Sequence, residues 1–203
     1  MREPSVEMIK EMRRLHHLVG RSQVALTLLD YGSGYGRWAR AAVKAGFRVT
    51  AFEPSVVRGG EEQVPFELTH NLANIRGRYF DTIQIEQVLE HVPDPLNTLK
   101  QIRFFCTPQT VIRITVPNIL RAPEGKNIWE FWPFDGETPH ILAPFEHLHG
   151  FTPQSLNYLL TRSGFKFVNC ARSWRTYPIM QTRSIIDRII PSLGSTKRIV
   201  TLA

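Results

Sequence analysis

A strand that runs into a glycine loop and then a helix is the feature that most constrains this chain. Val24–Tyr31 (VALTLLDY) is a short apolar run, typical of a strand buried in a parallel sheet. The loop Gly32–Gly36 follows, and Tyr35–Ala45 has helical spacing until Gly46 ends it. This unit predicts an α/β fold in which the glycines let a ligand approach the backbone.

Strands and helices then alternate along most of the chain. The other predicted strands are Phe47–Phe52, Val64–Leu68, Asp81–Gln87, Thr110–Val116, Phe165–Cys170 and Arg198–Leu202. The other predicted helices cover residues 5–19, a segment from Asp94 with Pro95 in its first turn, Thr152–Ser163 and Thr182–Ile190. Alternation of this kind predicts a mostly parallel, doubly wound sheet of about seven strands with right-handed crossovers.

We expect residues 1–203 to form a single domain. Residues 1–22 hold an N-terminal amphipathic helix, and residues 119–150 form an insertion rich in aromatic residues and histidine. A loop of this length is usually functional or disordered, and its many large rings argue against disorder. The rings predict an apolar acceptor pocket or a lid, or they cover the edge of the sheet.

Composition and charge narrow the class of protein and its partners. The formal net charge is +7, but the basic residues are scattered, so we expect a solvated surface and no nucleic-acid partner. The two cysteines, Cys106 and Cys170, are too few for a disulfide framework, which favours a reducing, cytoplasmic setting. The sequence has no apolar run long enough for a membrane span, and we expect no secretory signal.

The glycine loop and Glu53 together predict an adenosine cofactor. Glu53 ends the strand after the loop, where a carboxylate can accept hydrogen bonds from both ribose hydroxyls. The glycine spacing is G-x-G-x-G, and Arg37 stands where a dinucleotide fingerprint has its third glycine. No Lys-Ser/Thr pair follows the loop, so it is not a P-loop either.

The spacing D-x-G-x-G-x-G from Asp30 to Gly36 resembles motif I of the class I S-adenosylmethionine-dependent methyltransferases. Phe80–Pro95 (FDTIQIEQVLEHVPDP) is similar to the fourth-strand region of the branch that acts on small molecules, and Glu146–Phe165 is similar to its helix before strand six. The resemblance implies a Rossmann-like sheet whose last strand is antiparallel. It also implies S-adenosyl-L-methionine as cofactor and S-adenosyl-L-homocysteine as product.

The resemblance also assigns roles to residues of this chain. Asp30 and the loop would hold the methionine part, Glu53 the ribose, Pro54 and Ser55 the adenine, and Glu86–Val88 the sulfonium side. The full set is Asp30, Tyr31, Gly32, Ser33, Gly34, Gly36, Glu53, Pro54, Ser55, Asn71, Leu72, Glu86, Gln87, Val88 and His91. The chain departs from the family after strand three, where THNLANI has no acidic residue for the adenine amino group. Asn71 or a backbone group would accept that hydrogen bond instead.

Three histidines are candidates for a general base that deprotonates the acceptor. They are His140, His147 and His149, and an imidazole is suited to proton transfer at neutral pH. Each could instead cap a helix or bind backbone. We expect no metal, because His147 and His149 alternate without a nearby cysteine to complete a zinc site.

These observations predict methyl transfer by in-line displacement to a hydroxyl or amine of a small molecule. A saccharide, a lipid-like compound or a natural product fits a chain without an appended recognition domain. One alternative is a non-catalytic, methyltransferase-like partner subunit. Another is a nicotinamide-dependent oxidoreductase, which is disfavoured because Arg37 replaces the third glycine of the dinucleotide fingerprint. The sequence does not specify the acceptor or the oligomeric state.

Overall fold

A computed structural model describes residues 3–20, 25–59, 63–119, 146–167, 184–185 and 197–200. The strands are β1 (Thr27–Tyr31), β2 (Arg48–Phe52), β3 (Glu67–Thr69), β4 (Phe80–Glu86), β5 (Cys106–Pro117), β6 (Phe165–Phe167), β7 (Ser184–Ile185) and β8 (Lys197–Val200). The α-helices are α1 (Val6–Val19), α2 (Arg37–Lys44), α3 (Val56–Gly59), α4 (Pro95–Ile102) and α5 (Pro153–Arg162). Short 3₁₀ helices cover Leu72–Ile75 and Arg103–Phe105.

The chain divides into two compact units. The first contains Met1–Glu86 and Ile102–Arg113, and the second contains Gln87–Gln101 and Ile114–Ala203. Strand β5 therefore contributes its first part to one unit and its last part to the other. The expected single domain over residues 1–203 stays a prediction.

The first unit is built on a sheet with the strand order β3-β2-β1-β4-β5. Strand β1 pairs in parallel with β2 on one side and with β4 on the other; Asp30 lies opposite Ala51 and Gln84. From β1 the chain adds β2 and then β3 on one side, and it then crosses to add β4 on the other side of β1. The direction in which strands are added therefore reverses between β1 and β4. In open parallel sheets, ligands bind beyond the carboxyl ends of the strands at such a reversal.

Local sequence explains where the helices of each unit begin. Ser5 caps α1 by accepting a hydrogen bond from the Met8 backbone N–H at 3.2 Å. Thr152 caps α5, because its hydroxyl accepts a hydrogen bond from the Ser155 backbone N–H at 3.1 Å. In return, the Ser155 hydroxyl accepts one from the Thr152 backbone N–H at 2.9 Å. These caps satisfy backbone donors that the first helical turn leaves unpaired.

The parallel α/β fold is confirmed, whereas the count of about seven strands and the antiparallel last strand are not. In the second unit β8 pairs with β6 in parallel, with Phe165 opposite Lys197. Ser184–Ile185 is a strand that pairs antiparallel with β5, so the helix predicted over Thr182–Ile190 is wrong at these two residues.

Most of the insertion predicted at residues 119–150 lies outside the described residues, including His140 and all of its Trp and Phe residues. At its two ends, Asn118 and Phe151 form a parallel bridge, and the Ile119 backbone N–H donates to the Phe151 carbonyl at 3.0 Å. Within the described part of the chain, no helix has the length and apolar character needed to cross a membrane.

Candidate functional site

The glycine loop after β1 depends on backbone conformations that favour glycine. Gly32, Gly34 and Gly36 have φ angles of 77°, 53° and 70°, which are left-handed. A Cβ added at Gly36 would lie 2.7 Å from Cζ of Phe66, whereas a Cβ at Gly34 would meet no atom within 4 Å. Gly36 is therefore needed for internal packing, and Gly34 faces open space where a ligand has room to approach.

The Glu53 carboxylate connects this loop to the end of β2. Its Oε2 accepts a hydrogen bond from the Gly34 backbone N–H at 2.8 Å, and its Oε1 accepts one from the Ser55 backbone N–H at 3.0 Å. The residue is only 5% exposed. Each carboxylate oxygen can accept a further hydrogen bond. The structure thus brings together Gly34, Glu53 and Ser55, three residues that the sequence assigned to the cofactor, while Pro54 is exposed beside them.

Asp30 is a buried acid beneath the start of α2. It is 1% exposed, it accepts a hydrogen bond from the Ala39 backbone, and its Oδ2 has no hydrogen-bond partner among the described residues. Burial, reinforced by the negative charge of Glu86, raises the pKa of Asp30 to about 7 although Arg113 opposes the shift. Gln84 lies opposite Asp30 on β4, and its side-chain amide also lacks a partner in that part of the structure. A buried polar group without a partner is costly and points to a ligand or water.

Arg113 on β5 neutralises the carboxylate at the end of β4. Its Nη1 donates to Glu86, and its Nε and Nη2 donate to Oε1 of Glu11 on α1 at 3.0 and 2.6 Å. The guanidinium lies over the Trp38 ring, 4.5 Å from its centroid. Burial lowers the pKa of Arg113, but the charges of Glu86 and Glu11 outweigh this and raise it above the usual value.

The remaining candidates of the first unit, Tyr31, Asn71 and Leu72, differ in their exposure to solvent. Tyr31 is buried, its ring centroid is 5.0 Å from that of Phe52, and burial raises the pKa of its hydroxyl. Asn71 is exposed, and its side-chain oxygen accepts from the Ala73 backbone N–H at 2.9 Å. That bond caps the 3₁₀ helix and leaves one lone pair for another donor. Leu72 is half-buried.

The candidates of the second unit follow β4 directly. Gln87 has a φ of 53°, a strained conformation for a residue other than glycine, and its backbone N–H donates to the Thr115 carbonyl at 3.0 Å. Val88 is half-buried, and its carbonyl accepts from the His91 backbone N–H at 3.0 Å. Strain of this kind clusters at functional sites.

Two of the three histidines proposed as bases lie in the described part of the second unit. The His147 ring is next to that of His91, with centroids 4.9 Å apart. Nε2 of His149 is 3.3 Å from the Pro93 carbonyl oxygen. The structure thus brings His147 together with His91, a neighbour that the sequence did not indicate.

A cavity of about 710 Å³ in the first unit does not coincide with this site. It is lined by Phe47–Thr50 at the start of β2, by Val64–Glu67 and by Arg78. No residue assigned to the cofactor is among them, and the cavity lies at the amino end of β2 rather than at its carboxyl end. We therefore place the candidate site at the glycine loop rather than in this cavity, because the loop has the open Gly34 and the buried Glu53 carboxylate beside it.

A family model described as a methyltransferase domain matches residues 6–169. The chain belongs to this methyltransferase family. The resemblance of Asp30–Gly36 and Phe80–Pro95 to the class I S-adenosylmethionine-dependent methyltransferases is thereby confirmed at the level of the family. No curated protein sequence gives a significant match to the chain.

Solved structures share the fold of this methyltransferase domain. One is the 1,6-didemethyltoxoflavin-N1-methyltransferase of Burkholderia thailandensis with bound 1,6-didemethyltoxoflavin and S-adenosylhomocysteine. Its TM-score is 0.53 at 21% identity, and the match covers 80% of this chain and 69% of that one. A second is the plantazolicin methyltransferase in complex with a monoazolic desmethylPZN analogue and S-adenosylhomocysteine. Its TM-score is 0.58 at 15% identity, and the match covers 76% of this chain and 61% of that one. A third is a methyltransferase assigned to an antibiotic biosynthesis pathway of Anabaena variabilis. Its TM-score is 0.56 at 17% identity, and the match covers 76% of this chain and 61% of that one.

The methyltransferase domain described here spans only part of two of these proteins, 61% of the length of the plantazolicin enzyme and of the Anabaena protein. At such identities the likeness concerns the fold alone.

Sequence reasoning missed several residues of the methyltransferase domain that shape the site. Arg113 and its partner Glu11 are 102 positions apart, so no local pattern reveals the pair. The signal that could have found it is a single arginine inside the apolar strand VIRITV, since a charge there needs a buried partner. Gln84 gives the same kind of signal within β4.

Proposed function

We propose that this chain transfers a methyl group from S-adenosyl-L-methionine to a hydroxyl or amine of a small molecule. The observation that carries the proposal is the bond between Glu53 and Gly34 at 2.8 Å, because it positions a buried carboxylate beside an open glycine at the carboxyl ends of β1 and β2. When bound, S-adenosylmethionine supplies an activated methyl group on a positively charged sulfur, and an in-line displacement leaves S-adenosylhomocysteine.

The charges around the loop support a cationic cofactor. Asp30, Glu53 and Glu86 all belong to the first unit, and Asp30 is affected electrostatically by both of the others. Arg113 neutralises part of this charge through its pair with Glu86. Among the described residues, Oδ2 of Asp30 and the hydroxyl of Ser33 have no hydrogen-bond partner, so both are available to a ligand. Asp30, Ser33 and Gly34 would therefore hold the methionine end, which carries an ammonium group.

Glu53 would accept hydrogen bonds from the ribose hydroxyls while it continues to accept from the Gly34 and Ser55 backbone. Because these backbone donors already fix the carboxylate, its orientation costs little further entropy on binding. Asn71 and Leu72 stay proposals for the adenine end. Gln87, Val88 and His91 stay proposals for the sulfonium side.

A base completes the proposed reaction when the acceptor must lose a proton. We propose that role for one of three histidines, His149, His147 or His140. Such proton transfer contributes roughly 10²–10⁴-fold to a rate. The solved structures contain 1,6-didemethyltoxoflavin and a monoazolic desmethylPZN analogue, which supports a natural-product acceptor over a saccharide or lipid-like one. We further propose a cytoplasmic location.

Calorimetric titration of the full chain with three ligands tests this function. We expect saturable binding of S-adenosylmethionine and S-adenosylhomocysteine and none of reduced nicotinamide dinucleotide. Glu53→Gln keeps the shape of the side chain and removes its charge, so it should weaken binding of both adenosyl ligands. Gly34→Val fills the open space beside the loop and should abolish it.

Glu7→Gln is the matched control, because it removes an exposed acid of α1 that pairs with Lys10 at 3.6 Å. It should bind as the native chain does. Absence of binding in a folded native chain would refute the enzyme function and favour a non-catalytic partner subunit. Binding of the nicotinamide ligand would favour the oxidoreductase.

A further inference from the structure

Glu90, His91 and His147 bring two imidazoles and a carboxylate together in the second unit. Their potential ligand atoms all lie within 4.8 Å of one another. The planes of the two imidazole rings are inclined at 52°. Glu90 is 1% exposed, His147 is half-buried and His91 is exposed. One face of the cluster is thus open to solvent, whereas the carboxylate is removed from it.

Backbone contacts fix the two segments that carry these side chains. The Glu90 carbonyl accepts hydrogen bonds from the backbone N–H groups of Leu148 at 2.7 Å and His149 at 3.1 Å. Nδ1 of His91 lies 2.6 Å from the Glu146 carbonyl oxygen. These contacts join the segment of Glu90 and His91 to the segment Glu146–His149, which carries His147.

The contact between His91 and Glu146 also prepares His91 as a ligand. A carbonyl oxygen only accepts, so Nδ1 must carry the proton and Nε2 keeps its lone pair. Metal-bound histidines usually donate their other ring N–H to a carbonyl or carboxylate in this way.

The donor set matches a divalent transition metal. Two histidines and one carboxylate bind zinc in catalytic sites and also suit iron and manganese. At a metal–ligand distance of about 2.1 Å, tetrahedral ligand atoms are roughly 3.4 Å apart, which small side-chain rotations can reach from 4.8 Å.

We propose that Glu90, His91 and His147 bind a divalent transition metal ion and leave a coordination position open for an oxygen of the acceptor. The sequence indicates no metal, because His147 and His149 alone are too few ligands. In the structure His147 is joined by Glu90 and His91, which come from a segment far away in the chain. Metal binding does not require the proposed function, whereas the role toward the acceptor rests on it. When His91 and His147 bind the metal, the sulfonium side is left to Gln87 and Val88, and the base is His149 or His140.

Titration of the chelator-treated full chain with zinc chloride, followed by calorimetry, tests the site. The native chain should bind one zinc ion, and His91→Ala and His147→Ala should each weaken binding by at least about tenfold, the lower end of what even outer-shell partners contribute. His149→Ala is the matched control, because it removes a histidine of the same segment that is outside the cluster. Circular dichroism verifies that each variant folds, which matters for His91→Ala because it also removes the contact with the Glu146 carbonyl oxygen.

Failure of the native chain to bind zinc, or equal loss in His149→Ala and His147→Ala, would overturn the proposal. Native affinity in His91→Ala would do so as well. Titration of the same samples with S-adenosylhomocysteine separates the two proposals. Zinc binding without adenosyl binding supports the metal site and refutes the proposed function, whereas the reverse result supports the function and refutes the metal site.

Discussion

Replacing Arg113 with methionine should destabilise the first unit strongly. The guanidinium is 2% exposed and forms ion pairs with Glu11 and Glu86, whose side chains are 24% and 20% exposed. Methionine keeps much of the apolar volume beside Trp38 but leaves the two acids without their shared cation. The loss therefore comes from uncompensated charge rather than from a cavity.

The structure allows the size of this effect to be worked out. Removing one partner of a buried ion pair costs about 3–5 kcal/mol. Because both acids keep some contact with water, we expect the lower end of that range, about 3 kcal/mol. The matched control is Lys10→Met, which breaks a pair with Glu7 whose side chains are 58% and 61% exposed. Its effect should stay within about 0.5 kcal/mol.

The assay is urea unfolding monitored by circular dichroism, with free energies taken from linear extrapolation. A second variant separates charge from packing, because it combines Arg113→Met with Glu11→Gln and Glu86→Gln. Removing the whole charged group is often neutral, so this variant should recover most of the lost stability. A loss below about 1 kcal/mol for Arg113→Met, or no recovery in the combined variant, would refute the reasoning.

Three further predictions concern single residues. Because burial raises the pKa of Asp30 to about 7, the folded state binds its proton more tightly than the unfolded state. The stability that Asp30 contributes should therefore fall from about pH 4 to about pH 7, and Asp30→Asn should gain roughly 2–3 kcal/mol on the native chain between pH 5 and pH 8 in urea titrations; equal pH dependence would contradict this. Gly36→Ala should lower the melting temperature by much more than Gly34→Ala does, because a Cβ at position 36 meets Phe66 at 2.7 Å whereas one at position 34 meets no atom within 4 Å. Equal shifts would argue against the packing role of Gly36. Thr152→Ala removes a helix cap and should cost about 1 kcal/mol in chemical denaturation; no change would show that the Thr152 side chain contributes nothing to α5.

The part of the fold that sequence predicts well is the part encoded locally. The apolar run before Asp30, the glycines and the helix up to Lys44 follow one another, and strand β2 follows Gly46. The bounds of β3 were less accurate: Val64–Leu68 was predicted and Glu67–Thr69 is observed. A strand this short is decided by pairing with its neighbour β2 rather than by its own pattern.

The site is predictable only where its residues are close in sequence. The glycine loop and Glu53 belong to one strand–helix–strand unit, so a spacing can reveal them. Arg113 and Glu11 meet only after folding, as do Glu90 and His147, and neither pair has a periodic signature. The short helices Val56–Gly59 and Leu72–Ile75 were also missed, because a single turn has too few residues to show helical spacing.

A crystal structure of the chain grown with S-adenosylhomocysteine tests the central claim most directly. We predict density for the ligand at the glycine loop, with the ribose hydroxyls on the Glu53 carboxylate and the homocysteine end toward Asp30 and Ser33. Ligand bound instead in the cavity lined by Phe47–Thr50 and Arg78, or ribose hydroxyls with no contact to Glu53, would contradict the account.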